Sequence, residues 1–299
     1  MGHRKHQHAK RNSLHVLEPS AARISLALLR DIPPWDWPFD MANLLLQTLT
    51  NNHADPSDRI TAADLAGSLV VMNDELANAL LGIVSSTDQP EQLRAKAAIA
   101  LGPVLEESLT ADFDDPFDTP AITETTLRRI QPTLHGIYQD ESVPTFVRRR
   151  ILEGAVRSPE DWHREAVSRA WSSGNSDWML TAVFAMRWVD GFDAQILEAL
   201  HSRDPKLEYE AVRAAGNWEI DAAWSHIAAL VRSRDTPKPL LLAAMGAVGE
   251  IRPDTARDLL LNLTDSPDQE IAEAAGEAIL MATAGAEFID DEDEDEADG

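Results

Sequence analysis

Across 299 residues the chain carries 51 acidic against 26 basic side chains, a formal net charge of −25; an acidic surface of that size opposes the phosphate neutralisation on which nucleic-acid affinity rests. The 44% hydrophobic content is enough for a core, but no apolar run approaches the roughly 20 residues of a membrane span. With no cysteine there is neither a disulfide framework nor a thiolate for catalysis or metal binding, and with no apolar leader after the basic start the expected location is the cytoplasm.

In chain order, residues 1–19 read as a disordered basic arm. Its His3, His6 and His8 lack the fixed geometry of a dedicated metal site. Apolar residues at helical spacing predict helices over 21–29 and 41–49, separated by Pro33-Pro34-Trp35-Asp36-Trp37-Pro38, with Trp35 and Trp37 capping the open end of a stack. A helix at 57–71 follows, then pairs at 73–86 with 90–107, 123–139 with 144–156, and 159–173 with 175–189. The remaining pairs are 192–202 with 206–217, 220–233 with 237–249, and 253–264 with 267–283. An acidic loop, 108–122, interrupts the period; its Phe113 and Phe117 either dock a partner or tuck onto the scaffold. Residues 284–299 read as a disordered acidic tail, because a like-charge run repels itself.

Between these ends, 20–283 is repetitive. Gly216, Gly246 and Gly276 lie thirty residues apart, each after a turn: Asp204-Pro205, Asp235-Thr236-Pro237 and Asp265-Ser266-Pro267. Looser copies lie upstream, where Asp55-Pro56 precedes Gly67, Asp88-Gln89-Pro90 precedes Gly102, and Asp140 with Pro144 precedes Gly154; Gly174 to Asp177 supplies a seventh turn. Asp can cap a helix and proline tolerates its first turn, so a helix begins at each turn and a small residue downstream lets a neighbour approach. A fixed period of this length means stacked units sharing one core: an all-α solenoid of about seven helix pairs.

The run Leu93-Arg94-Ala95-Lys96-Ala97-Ala98-Ile99-Ala100-Leu101-Gly102 resembles the second helix of a HEAT repeat, and Val147-Arg148 to Gly154, Val212-Arg213-Ala214-Ala215-Gly216 and Ile271 to Ile279 read similarly. The resemblance implies that second helices form a concave side where partners dock. It says little about function.

No catalytic pattern is present: no Gly-rich phosphate loop, no His-Glu-x-x-His helix and no Gly-x-Ser-x-Gly turn. The chain is therefore expected not to be an enzyme and to need no cofactor or metal. Deoxyhypusine hydroxylases are similar solenoids that bind iron through His-Glu pairs, and this chain has no His-Glu dipeptide. The expected role is a protein-binding scaffold or adaptor. One alternative is an enzyme or maturation factor, similar to bilin lyases, holding a small molecule between helices; another is an acidic chaperone for a basic protein. Arg94, Arg148, Arg149, Arg150, Arg187 and Arg213 fall on second helices, where they either pair with turn aspartates of neighbouring repeats or form a positive strip for an acidic or phosphorylated segment. Six tryptophans crowd the middle repeats, as core or as an exposed ridge. The candidate protein-binding residues are Arg148, Arg150, Arg187, Trp188, Arg213 and Trp218.

Overall fold

The computed structural model describes residues 26–113, 115 and 117–295. All regular structure among the described residues is helical. Fourteen helices form seven consecutive pairs: α1 (Met41–Thr50) with α2 (Pro56–Leu65), α3 (Asp74–Ser85) with α4 (Glu91–Ala100), and, after the short α5 (Gly102–Glu107), α6 (Glu124–Gln139) with α7 (Thr145–Ala155). The series continues with α8 (Asp161–Ser172) and α9 (Ser176–Ala185), α10 (Asp193–Leu200) and α11 (Pro205–Asn217), α12 (Trp224–Arg232) and α13 (Lys238–Ile251), and α14 (Pro253–Leu260) and α15 (Gln269–Asp295). Second helices pack in succession, α2 on α4, α4 on α7, and so on to α13 on α15. One continuous apolar interior runs from Leu26 to Ala282. The protein is an all-α solenoid, each layer lacking a core until its neighbours cover it.

The turns start helices in two ways. Asp55 and Asp204 accept from the backbone N–H of Ser57 and Lys206, and proline follows at the first helical position. At α4, α7 and α13 the proline is instead the N-cap itself, without a side-chain acceptor. Arginine then locks three pairs. Arg59, Arg94 and Arg148 each stand four residues after the N-cap and donate to the carbonyl ten residues earlier, on Leu49, Val84 and Tyr138, at 2.9, 2.9 and 2.7 Å. Each guanidinium thereby satisfies a carbonyl left open where the first helix of its pair ends.

Close approach between layers depends on glycine, in a register that differs from the thirty-residue period. Gly67, Gly102, Gly216 and Gly249 all lie twelve residues after the N-caps Asp55, Pro90, Asp204 and Pro237. A Cβ on Gly67, Gly216 or Gly249 would press on Ala100, Ala247 or Ala278, at 3.2, 2.9 and 3.1 Å. Gly154 lies against the Ala98 carbonyl of the preceding layer, whereas Gly246 and Gly276 have nothing within 4 Å. Thus the two later members of the apparent repeat are exposed and make no close contact. The twelfth residue after the α9 N-cap Asn175 is Arg187, just beyond the helix, and after the α7 N-cap Pro144 it is Val156.

Of the helix expected over 21–29, residues 21–25 lie outside the described residues, and Leu26–Asp31 forms a 3₁₀ helix. Trp37 does cap that end, its indole N–H bonding the Leu29 and Ile32 carbonyls at 3.1 and 2.9 Å; Trp35 is 77% exposed and does not. The basic arm and its histidines lie outside the described residues. At the other end α15 runs on to Asp295, past the boundary at 283 from which a disordered tail is expected; Ala and Glu are strong helix formers, so the backbone continues from a helix already nucleated.

Candidate functional site

Counted from each N-cap, the residues at positions two, five, six and nine of the second helices fall on one helical face. From α2 to α13 this face lines one groove of about 800 Å³, so the second-helix layer curves inward around it. Ile60, Ile99, Phe146, Leu180, Phe184, Tyr209 and Leu240 supply its apolar surface. Its cations are Lys96, Arg150, Arg157 and Lys206, and its acids are Glu153 and Glu210. With Asp64 and Glu106, which pair with two of these cations, the charges of the groove and its edge balance, and Lys206 is the one groove cation without an ion pair among the described residues. The volume is in the range of sites that enclose ligands.

Most of these charges are held in place. Lys96 pairs with Asp64 at 2.8 Å, Arg157 with Glu106 at 3.0 Å, and Arg150 with Glu153. Behind the last pair, buried Arg149 bonds Thr181 at 3.0 Å and Asp177 at 3.0 Å, while the Thr181 hydroxyl donates to Glu153 at 2.6 Å. This network bridges α7 to α9 and fixes the rotamers that face the groove. Deeper in the wall Phe184 and Trp188 are in ring contact, Arg187 lies 4.6 Å from the Trp188 centroid, and Arg157 lies 5.3 Å from that of Trp188 and 6.0 Å from that of Phe184. The Arg187 Nε and Glu210 Oε2 are buried without a hydrogen-bond partner among the described residues. Burial, together with the repulsion of Arg213, lowers the Arg187 pKa; burial raises that of Glu210, against the pull of Arg213 and Arg187.

The six candidate residues separate into three roles. Arg148 points to the Tyr138 carbonyl and ring, so it joins two helices and is not part of a positive strip. Arg150 lines the groove; Arg213 lines an adjoining hollow with Lys238 and Glu270, its guanidinium 5.6 Å from the Tyr209 ring. Arg187 and Trp188 form the wall, and Trp218 ties that wall to the next layer through its indole N–H, 2.6 Å from the Met186 carbonyl. Trp188 and Trp218 are not structural equivalents: they lie thirteen and fourteen residues after Asn175 and Asp204. Cations pair with aspartates at the turns at Arg149–Asp177 and Lys238–Asp268, whereas Lys96 pairs with Asp64 inside α2. The reading of residue types overlooked Lys96, Arg157, Phe184, Lys206, Tyr209 and Glu210; counting from the N-caps would have found all but Arg157, Lys206 included as a position-two residue.

No family model and no curated protein matches the chain. Its fold is similar to that of solved structures at low identity. Human deoxyhypusine hydroxylase in complex with glycerol is 17% identical, with 87% of this chain and 88% of that chain covered and a TM-score of 0.39. The Escherichia coli protein YibA is 14% identical, with 85% and 90% covered and a TM-score of 0.41. An engineered protein is 18% identical, with 82% and 97% covered and a TM-score of 0.32. The first of these is an enzyme, against the expectation that this chain is not one. Among the described residues no helix is long and apolar enough to cross a membrane.

Proposed function

We propose that the protein is a HEAT-like binding scaffold whose inner groove receives an extended segment of another protein. The observation that carries this reading is the groove itself: six second helices present apolar side chains, with cations among them, along one continuous face. A groove crossing six layers, each about 8–10 Å from the next, suits an extended chain better than a compact molecule. Aromatic and arginine side chains in such a setting are the residue types that dominate binding energy. The test is cross-linked capture with the wild type beside Lys206→Glu and Tyr209→Ala, and with Arg234→Glu on an exposed turn as control. The groove variants should lose partners that the control retains; equal recovery by all four would reject the groove.

A second reading is a small molecule held between the helices, with the protein acting on it. Glu210 favours this reading, since a half-buried carboxyl with a raised pKa and an unbonded oxygen is the type of group that exchanges protons with a ligand. Native mass spectrometry of the wild type and Glu210→Gln would reveal a copurified mass lost in the variant; an empty wild type would count against this reading.

A further inference from the structure

We propose that the acidic loop between α5 and α6 of one molecule docks in the inner groove of a second copy. The inference rests on the groove being a protein-binding site and names its occupant.

Phe117 is 91% exposed, although a phenylalanine ring normally contributes to a core. The turn that presents it is braced. The Phe117 N–H donates to the Asp115 carboxylate at 2.8 Å, the Asp112 N–H to the Asp118 carboxylate at 2.7 Å, and the Ala121 N–H to Glu107 at 3.3 Å. The Thr123 N–H donates to Asp74 on α3 at 2.9 Å, anchoring the end of the loop to the scaffold. A ring whose backbone is held by these contacts loses little freedom on binding, which favours affinity. It is flanked by carboxylates, so its natural receptor is an apolar pocket rimmed with cations.

The inner groove has that composition: Leu180, Phe184 and Tyr209 beside Arg150, Arg157 and Lys206. Lys206 forms no ion pair among the described residues. On a chain otherwise strongly acidic, an apolar groove that offers the unpaired Lys206 beside Tyr209 attracts an acid-flanked aromatic ring that other faces repel. Since Phe117 makes so little contact within its own molecule, the groove it can fill belongs to another copy. Loop and groove are different surfaces, so the contact is heterologous: each molecule offers one of each, and association proceeds to a ring or a filament.

Sedimentation velocity on the full chain tests this at about 0.15 M salt, where charges more than about 8 Å apart are largely screened. The wild type should grow beyond a dimer with concentration, whereas Phe117→Ser alone and Lys206→Glu/Arg150→Gln alone should remain monomeric. Mixed in equal amounts, the two variants should stop at a dimer, because only one working junction remains. A wild type that stays monomeric, or a Phe117→Ser variant that assembles like it, overturns the proposal. A second arm separates this from the groove reading. The apolar anion 8-anilinonaphthalene-1-sulfonate should fluoresce with wild type, less with Lys206→Glu/Arg150→Gln, and lose that signal to a peptide of residues 108–122. Groove-dependent dye that the peptide cannot displace rejects the loop as occupant and leaves the groove standing; dye binding indifferent to the groove substitutions rejects both.

Discussion

His163 shows how one residue couples burial to pH. Its ring is fully buried beneath Trp162, 3.7 Å between centroids, and its Nδ1 accepts from the Glu160 N–H at 2.8 Å. Burial lowers its pKa from 6.5 to about 4. The unfolded chain therefore takes up a proton that the folded chain refuses. Stability from this group is intact above pH 6.5 and is lost as the pH falls towards 4, by about 3 kcal/mol in all. His163→Asn keeps an acceptor for Glu160 and removes the titration. Denaturation followed from pH 7.5 to 4 should show wild type losing ground to the variant; a constant difference would exclude His163 as the source. Nothing in the sequence marks this histidine apart from the other lone histidines, His53, His135, His201 and His226, because burial is a property of packing.

Helix positions were more legible than helix contacts. Alternation of Asp, Pro and apolar runs places most of the helices to within a few residues, because caps and periodicity are local. Which glycine touches a neighbour depends on the angle around the helix, and that angle is set by the N-cap. The thirty-residue spacing selected Gly216, Gly246 and Gly276, whereas packing uses Gly216 and, in the next layer, Gly249. This difference is measurable. Gly154→Ala and Gly216→Ala should each cost about 1–3 kcal/mol through overpacking, while Gly246→Ala and Gly276→Ala, in open helical positions, should gain about 0.5–1 kcal/mol. Urea denaturation of the four variants gives the comparison; four losses, or four gains, would refute the register. The candidate site was obscured for the same reason: Arg94 and Arg148 look like surface cations in a list of residues, yet their position four after the N-cap turns them to a carbonyl.

For the molecule as a whole, seven layers touch only their neighbours, so stability is distributed as a series of joints. The joints are unequal. Backbone meets backbone through glycine between α11 and α13 and between α4 and α7, whereas α9 packs less extensively against α7 and α11. There Arg187 occupies the glycine position and the connection passes through side chains, Trp218 to the Met186 carbonyl and Asn217 to that of Arg187 at 2.8 Å. Amide hydrogen exchange should therefore find α9 and the turn at 186–190 less protected than α11 and α13; uniform protection, or α13 exchanging first, would contradict the ranking.

An arginine at the position where four other layers have glycine makes α9 a seam between two stiffer plates, one ending at α7 and the other beginning at α11. The groove straddles that seam, so its width follows the tilt of one plate on the other. A guest gripping Ile60 at one rim and Leu240 at the opposite one fastens both plates together, and its arrival would register as lost flexing at α9, far from either rim.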